Sequence, residues 1–315
     1  MARSAPHVCV FAPAPILTVV IERGTGDAGE LHIHPGGQGF WVARMLTHLG
    51  ASTTLVTPLG GETGDVFGHL ISGHGVDVRV VPVAEPTGAY VHDRRGGERE
   101  EWWRATLSPL GRHEVDDLYT ATLAAALEAG VCVVTGTHRQ HAVLPAGTFR
   151  RLTADLRAND VVVLVDLQGE YLREVLAGGV DTVKISEEEL AEDGWAESRE
   201  DDAVLAGIER LGEEGASDIV VSRAEGGAMA RLDGRLLRAS GPEMTAIDPS
   251  GAGDSMTAAL AFARASGLPP DEMLKLGVAA GAMNVTRHGL GSGDAEAIEQ
   301  LAANVKVEEI GAARR

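Results

Sequence analysis

Asp248-Pro-Ser-Gly-Ala-Gly-Asp-Ser-Met-Thr-Ala-Ala-Leu260 is the segment from which the rest of the chain is best read. Turn-forming residues come first, then two glycines around an alanine, then an acid, then a run of good helix formers. That order builds a loop feeding directly into a helix N-terminus. The N–H groups of Gly251, Ala252 and Gly253 lack intrahelical partners there, and the helix dipole adds positive potential, so together they suit an anion. Asp254 follows at the helix start, beside that pocket. A carboxylate so placed can take a proton from a hydroxyl that attacks a phosphoryl group. The plainer alternative is a glycine turn with Asp254 as its N-cap.

Upstream, apolar runs alternate with amphipathic ones. Val8–Phe11 reads as a buried strand. Leu17–Glu22 and Glu30–His34, separated by Gly24, Gly26 and Gly29, read as a hairpin with one exposed face that carries His32 and His34. Gly36-Gly37-Gln38-Gly39 opens a helix to about Leu49. Strand Thr53–Pro58, helix Gly64–Gly73 and strand Val76–Val83 follow. A second exposed pair, Gly88–Asp93 and Glu98–Arg104, completes a small sheet with the first hairpin, and its Trp102 and Trp103 should put one ring on each face. From residue 117 the alternation is regular: helices 117–129, 145–158, 170–177 and 201–214 each lead into strands 131–135, 161–166, 181–185 and 218–222. A hairpin of Met229–Leu232 and Leu236–Ala239 turns on Asp233-Gly234. Helices 254–266, 271–287 and 294–304 close the chain, and residues 312–315 read as a frayed tail. The pattern predicts an α/β fold: a doubly wound, mainly parallel sheet with helices on both faces, and ligands at the carboxyl ends of its strands.

Composition narrows the partners. A formal charge of −19 disfavours nucleic acid and anionic membranes. Cys9 and Cys132 sit in apolar runs without a Cys-x-x-Cys pair, so a thiolate metal or redox site is not expected. Residues 1–20 have neither a membrane-helix length nor a signal-peptide layout, which predicts a cytoplasmic protein. No Gly-x-x-x-x-Gly-Lys-[Ser/Thr] occurs, so a bound nucleotide would not sit on a Walker loop.

Residues 248–260 resemble the C-terminal signature of the ribokinase (PfkB) family of carbohydrate kinases. Pro35-Gly-Gly-Gln-Gly39 with Val42, Ala43, Leu46, Leu49 and Gly50 resembles its N-terminal signature, most similar to the 1-phosphofructokinase and tagatose-6-phosphate kinase subgroup. The resemblance implies a ribokinase-like domain over residues 1–311 with lid insertions at about 16–35 and 87–104. It implies ATP and Mg²⁺, a monovalent cation, and a homodimer through the lid sheet. Asp254 would be the base, with Gly251, Ala252 and Gly253 as the anion hole. Lys184-Ile-Ser186-Glu-Glu-Glu189 is similar to Lys-Pro-Asn-x-x-Glu, which makes Glu189 an indirect organiser of magnesium. Asp248 is a further metal candidate. Ser222, Ala224 and Gly227 resemble a nucleotide turn, and Asn284 belongs to the helix expected beside the adenine.

The departures fall on the acceptor side, where Gly36, Gly37, Gln38, Trp41 and Arg139 are the substrate candidates. The subgroup's hydroxyl-binding aspartate is Ile16, its Ala-Gly-Lys-Gly lysine is Gln38, its sugar-contacting asparagine is Trp41, and its phosphate-binding arginine is Gly88. A sugar hydroxyl facing Ile16 would lose about 1–3 kcal/mol by going unpaired. Arg139, Arg44, Arg94 or Arg95 are candidates to restore a cation, and His138 and His141 flank Arg139. Three readings stay open: a kinase for a sugar or sugar phosphate, a kinase for a less polar acceptor such as a nucleoside, and a nucleotide- or metabolite-binding sensor without turnover.

Overall fold

A computed structural model describes residues 5–24, 29–97, 99–136, 142–224, 227–241, 244, 250–286 and 291–312. In chain order the elements are β1 (His7–Phe11), β2 (Ile16–Arg23), β3 (Gly29–Gly36), α1 (Gln38–His48), β4 (Ser52–Leu59), α2 (Gly61–Ile71), β5 (Asp77–Pro82), β6 (Gly88–Asp93), β7 (Glu100–Ala105) and α3 (Arg112–Ala129). They continue as β8 (Val131–Thr135), α4 (Ala146–Ala158), β9 (Val162–Asp166), α5 (Gly169–Gly178), β10 (Val180–Ser186), α6 (Glu187–Glu192), α7 (Asp201–Glu213) and β11 (Ala216–Arg223). Last come β12 (Gly227–Leu232), β13 (Arg235–Ser240), α8 (Ala252–Ala265), α9 (Pro270–Val285), α10 (Ala295–Ala302) and β14 (Lys306–Ala312).

The main sheet runs β14-β13-β12-β11-β10-β9-β8-β1-β4-β5. It is parallel from β5 to β11 and antiparallel from β11 to β14. Its central strands are largely apolar because helices cover both faces. The alternation still sorts them: Val8, Val10 and Val133 join one buried cluster with α1, α8 and α9, while Cys9, Phe11, Cys132 and Val134 join another with α3, α4, α5 and α7. The strand order reverses direction between β1 and β8, so a crevice opens at their carboxyl ends. Among the described residues no helix is long and apolar enough to cross a membrane.

A second, four-stranded sheet runs β3-β2-β6-β7. One cross-strand row is Ile33–Val19–Val91–Trp103, and the next residue along gives His34–Thr18–Tyr90–Arg104. The sheet therefore has an apolar face and a polar one. His32 and His34 stack on the polar face, with ring centroids 6.1 Å apart. A register shift after Val91 leaves Trp102 without a partner and breaks the alternation that would set the two rings on opposite faces. Neither ring packs on the main body: Trp102 is 51% and Trp103 54% exposed.

Two further expectations are corrected. The chain does not end in helix: β14 pairs antiparallel with β13 and runs as far as Ala312, while 313–315 lie outside the described residues. Glu308 and Glu309 disguise that strand, but an edge strand tolerates charge, and Glu309 meets Arg235 at 2.8 Å. Helix α3 starts at Arg112 rather than Asp117 because Glu114 accepts from the N–H of Gly111 at 2.7 Å and closes the helix start early.

Candidate active site

Helix α8 begins where the glycine loop ends. Gly251 is its N-cap at φ 78°, a left-handed conformation that glycine adopts without strain. Its carbonyl accepts from the N–H of Ser255 at 3.0 Å, which turns the chain into the helix. Asn284 of α9 braces this loop from behind. Its amide donates to the Ser250 carbonyl at 2.6 Å, and its oxygen accepts from Ser255 Oγ at 3.2 Å and the Gly291 N–H at 3.0 Å. Asn284, read from the sequence as an adenine neighbour, is thus a buried side chain holding the loop.

Asp254 lies in the first turn of α8 and is partly buried. Burial, reinforced by the charge of Asp166, pushes its carboxyl up to about 7, against the opposing pull of Lys184. Asp166 ends β9 and is 5% exposed; Lys184, near the end of β10, is 4% exposed. Lys184 Nζ donates to Asp166 Oδ2 at 3.3 Å, and Thr257 Oγ1 donates to the same oxygen at 2.6 Å. Burial also raises the Asp166 carboxyl, with Lys184 opposing. Burial alone would lower Lys184, but Asp166, Glu189 and Asp254 outweigh it and the net direction is up. Three carboxylates thus surround one buried ammonium, an excess of negative charge that a cation-bearing ligand would relieve.

Glu189 is engaged in a capping box. Its carboxylate accepts from Ser186 N at 3.0 Å and Ser186 Oγ at 2.8 Å, while its own N–H donates to Ser186 Oγ at 3.2 Å. Among the described residues, no three His, Cys, Asp or Glu side chains are grouped to hold a metal ion directly. A Mg²⁺ carried on nucleotide phosphates and its own waters suits such a site.

Beside the loop lies a cleft of about 980 Å³. Ser186, Ser222, Ala224 and Gly227 line it together with Ala252 and Gly253, and Met256, Val278 and Val285 give it an apolar wall. Arg223 also lines it, a residue the sequence reading passed over. Its guanidinium is pinned by Glu187 at 2.8 Å, by Asp201 and by the Arg199 carbonyl.

In the second sheet, Ile16, Gly36 and Gly88, positions expected from the sequence to face an acceptor, sit side by side on neighbouring strands. The Trp41 ring packs next to them: a Cβ on Gly36 would lie 3.6 Å from its Cζ2. Gln38 turns inward. Its oxygen accepts from the Gly136 N–H at 3.1 Å and its amide reaches the Asp166 carbonyl at 3.5 Å, linking the carboxyl ends of β8 and β9. Arg95, a candidate cation, is bound to both oxygens of Asp93. Arg139, with His138 and His141, and Asp248 lie outside the described residues. Asp166 and Thr257 went unread in the sequence. The signal for Asp166 was its place as the last residue of a central parallel strand, the edge where such sheets bind ligands.

The chain as a whole resembles known proteins. The model of the pfkB family carbohydrate kinases matches residues 12–297. The ATP-dependent 6-phosphofructokinase isozyme 2 of Escherichia coli (strain K12) is 28% identical over 264 residues, covering 81% of this chain and 82% of that protein. The 1-phosphofructokinase of Bacillus subtilis (strain 168) is 26% identical over 281 residues, covering 88% and 89%. The crystal structure of phosphofructokinase-2 from Escherichia coli in complex with potassium has a TM-score of 0.83 at 25% identity, covering 95% of this chain and 98% of that one. The family match extends over residues 12–297, from the turn after β1 into α10, and the chain accordingly belongs to the pfkB family of carbohydrate kinases.

Proposed function

We propose that this kinase moves the γ-phosphoryl group of ATP to a hydroxyl of a sugar or sugar phosphate, with Asp254 as base and the amides of residues 251–253 as anion hole. The observation that carries this is geometric: Ala252 and Gly253 line the 980 Å³ cleft, and Asp254 follows them in the first turn of α8, where burial raises its carboxyl to about 7. A base poised near neutral pH is both ionised and able to accept a proton. The acceptor oxygen attacks phosphorus, its proton passes to Asp254, and the bond from phosphorus to the bridging oxygen breaks to release ADP. The loop amides and Lys184 face the charge that grows on the phosphoryl oxygens. A Mg²⁺ bound with the nucleotide would supply further neutralisation, and Glu189 is the residue that would help to hold it. A monovalent cation belongs to the same reading, supported by the potassium complex of the Escherichia coli relative.

Ile16, Gly36 and Gly88, with the Trp41 ring packed behind them, favour a second reading, a less polar acceptor such as a nucleoside, because none of these side chains offers a charged or hydroxyl partner to a sugar. ADP release measured across sugars, sugar phosphates and nucleosides separates the two. Turnover confined to nucleosides would overturn the sugar reading. Turnover with none of the three would overturn both.

We also infer a homodimer through the apolar face of the lid. Leu31, Ile33 and Trp103 on that face are 61%, 40% and 54% exposed, more apolar surface than an isolated lid leaves in water without reason. Both cysteines are free and buried, which fits a reducing cytoplasm.

A further inference from the structure

A lysine buried at the end of a parallel strand must be held by something, and the holder decides where its charge points. Lys184 and Asp166 side chains are each 6% exposed, with Nζ 3.3 Å from Oδ2. The same carboxylate oxygen takes the Thr257 hydroxyl at 2.6 Å, and that hydroxyl also lies 3.0 Å from the Gly253 carbonyl. Thr257 stands one helical turn beyond Gly253, so its bond ties Asp166 of β9 to the first turn of α8. The ammonium fills the space left by the missing side chain of Gly253: a Cβ there would come within 2.7 Å of Nζ. From the other side, Gln38 reaches the Asp166 main-chain carbonyl. Thus β9, β10 and α8 are joined around one cation, and the cation abuts the loop whose amides face the ligand.

We propose that Asp166 and Thr257 are positioning residues: they hold the Lys184 ammonium against Gly253, on the floor of the anion loop, so that it meets the terminal phosphate of a bound nucleotide already in place. The proposal rests on the reading of residues 251–253 as the site of that phosphate. A lysine left free would sample many rotamers and have to be ordered at each encounter, at a cost in side-chain entropy. Held by Asp166 alone, it would follow a carboxylate that has its own rotational freedom. The Thr257 hydroxyl removes that freedom. ADP lacks the phosphate that this lysine would meet, so the arrangement distinguishes ATP from ADP.

The test is equilibrium binding of ATP and of ADP, each with magnesium, to the wild-type protein and to Thr257→Val, Thr257→Ser and Asp166→Asn. Thermal melting confirms that each variant is folded. Thr257→Val keeps the buried volume and loses only the hydroxyl, so ATP binding should weaken by about 3- to 10-fold, the loss of roughly one hydrogen bond's worth of alignment. ADP binding should stay within about twofold, and Thr257→Ser should restore ATP binding. Asp166→Asn should weaken ATP more than Thr257→Val does and again spare ADP. Equal losses for ATP and ADP, or no loss for either, would overturn the proposal, as would a failure of Thr257→Ser to restore binding. Turnover of the wild type on the acceptor panel is a separate matter: its absence would overturn the reading of the function, while the ATP-to-ADP comparison would still decide the role of Asp166 and Thr257.

Discussion

Substituting Gly253 by alanine adds one methyl group at the most crowded point of the site. The new carbon would lie 2.7 Å from Lys184 Nζ and 3.7 Å from Cε, where ordinary contact begins near 3.4 Å. The ammonium must therefore retreat by roughly 0.7 Å, the difference between those two distances. On a surface lysine this would be nearly free, because a four-carbon stem swings easily in water. Here the side chain is 6% exposed and bonded to Asp166. Complete loss of a buried pair leaves an unpaired charge and costs about 3–5 kcal/mol, so a partial displacement should cost about 1–3 kcal/mol of stability. Activity should suffer more. Moving a charge-stabilising donor out of line typically lowers kcat by about 10²–10³. The assay is coupled ADP release with ATP and the best acceptor, alongside thermal melting. If Gly253→Ala kept kcat within twofold of wild type, the claim that Lys184 is packed against the loop and used there would be wrong.

Four further outcomes follow from the same geometry. With Asp254 raised to about 7 and required in its ionised form, kcat/KM for ATP should fall about tenfold per pH unit below neutrality and level off above; a flat profile between pH 5.5 and 8 would contradict its role. For stability the sign is opposite: the folded state holds a proton on Asp254 that the unfolded chain releases near 4, so the contribution of Asp254 to stability is lost as pH rises from about 4 to 7, and the difference in stability between wild type and Asp254→Asn should change over that range in denaturant titrations. Ser186→Ala removes the cap of α6 and one bond to Glu189, which should cost about 1 kcal/mol in chemical denaturation. Leu31→Asp or Trp103→Asp on the apolar lid face should convert a dimer to monomer in sedimentation experiments while leaving the melting temperature of the main body unchanged; an unaltered sedimentation coefficient would count against that interface.

Much of this architecture was legible in the residues. The central strands announced themselves as short, unbroken apolar runs such as Val131–Thr135, because both faces of a doubly wound sheet are covered. The glycine loop before α8 was legible because its turn-forming residues, glycines and acid run straight into a long stretch of good helix formers. What stayed hidden depended on distance or on local compromise. Asp166 meets Lys184 from 18 residues away and Thr257 from 91, so no window of sequence contains the cluster. Strand β14 was missed because Glu308 and Glu309 are poor strand formers that only an edge position accepts. Trp102 and Trp103 obeyed no simple alternation because a bulge intervened at that point, and bulges leave little trace in composition. Gln38 looked like a substrate contact from its place in the Gly-rich turn, yet its amide reaches the main chain at Gly136 and Asp166.

The most direct test of the central claim is the turnover number of Asp254→Asn, measured by ADP release beside wild type, with ATP binding measured on the same samples. The substitution preserves shape and removes only the ability to take a proton. The account predicts that kcat drops by about 10²–10⁴ while ATP still binds. An Asp254→Asn protein that phosphorylates its acceptor within about tenfold of the wild-type rate would contradict it, because the proton would then have to leave by a route in which Asp254 takes no part.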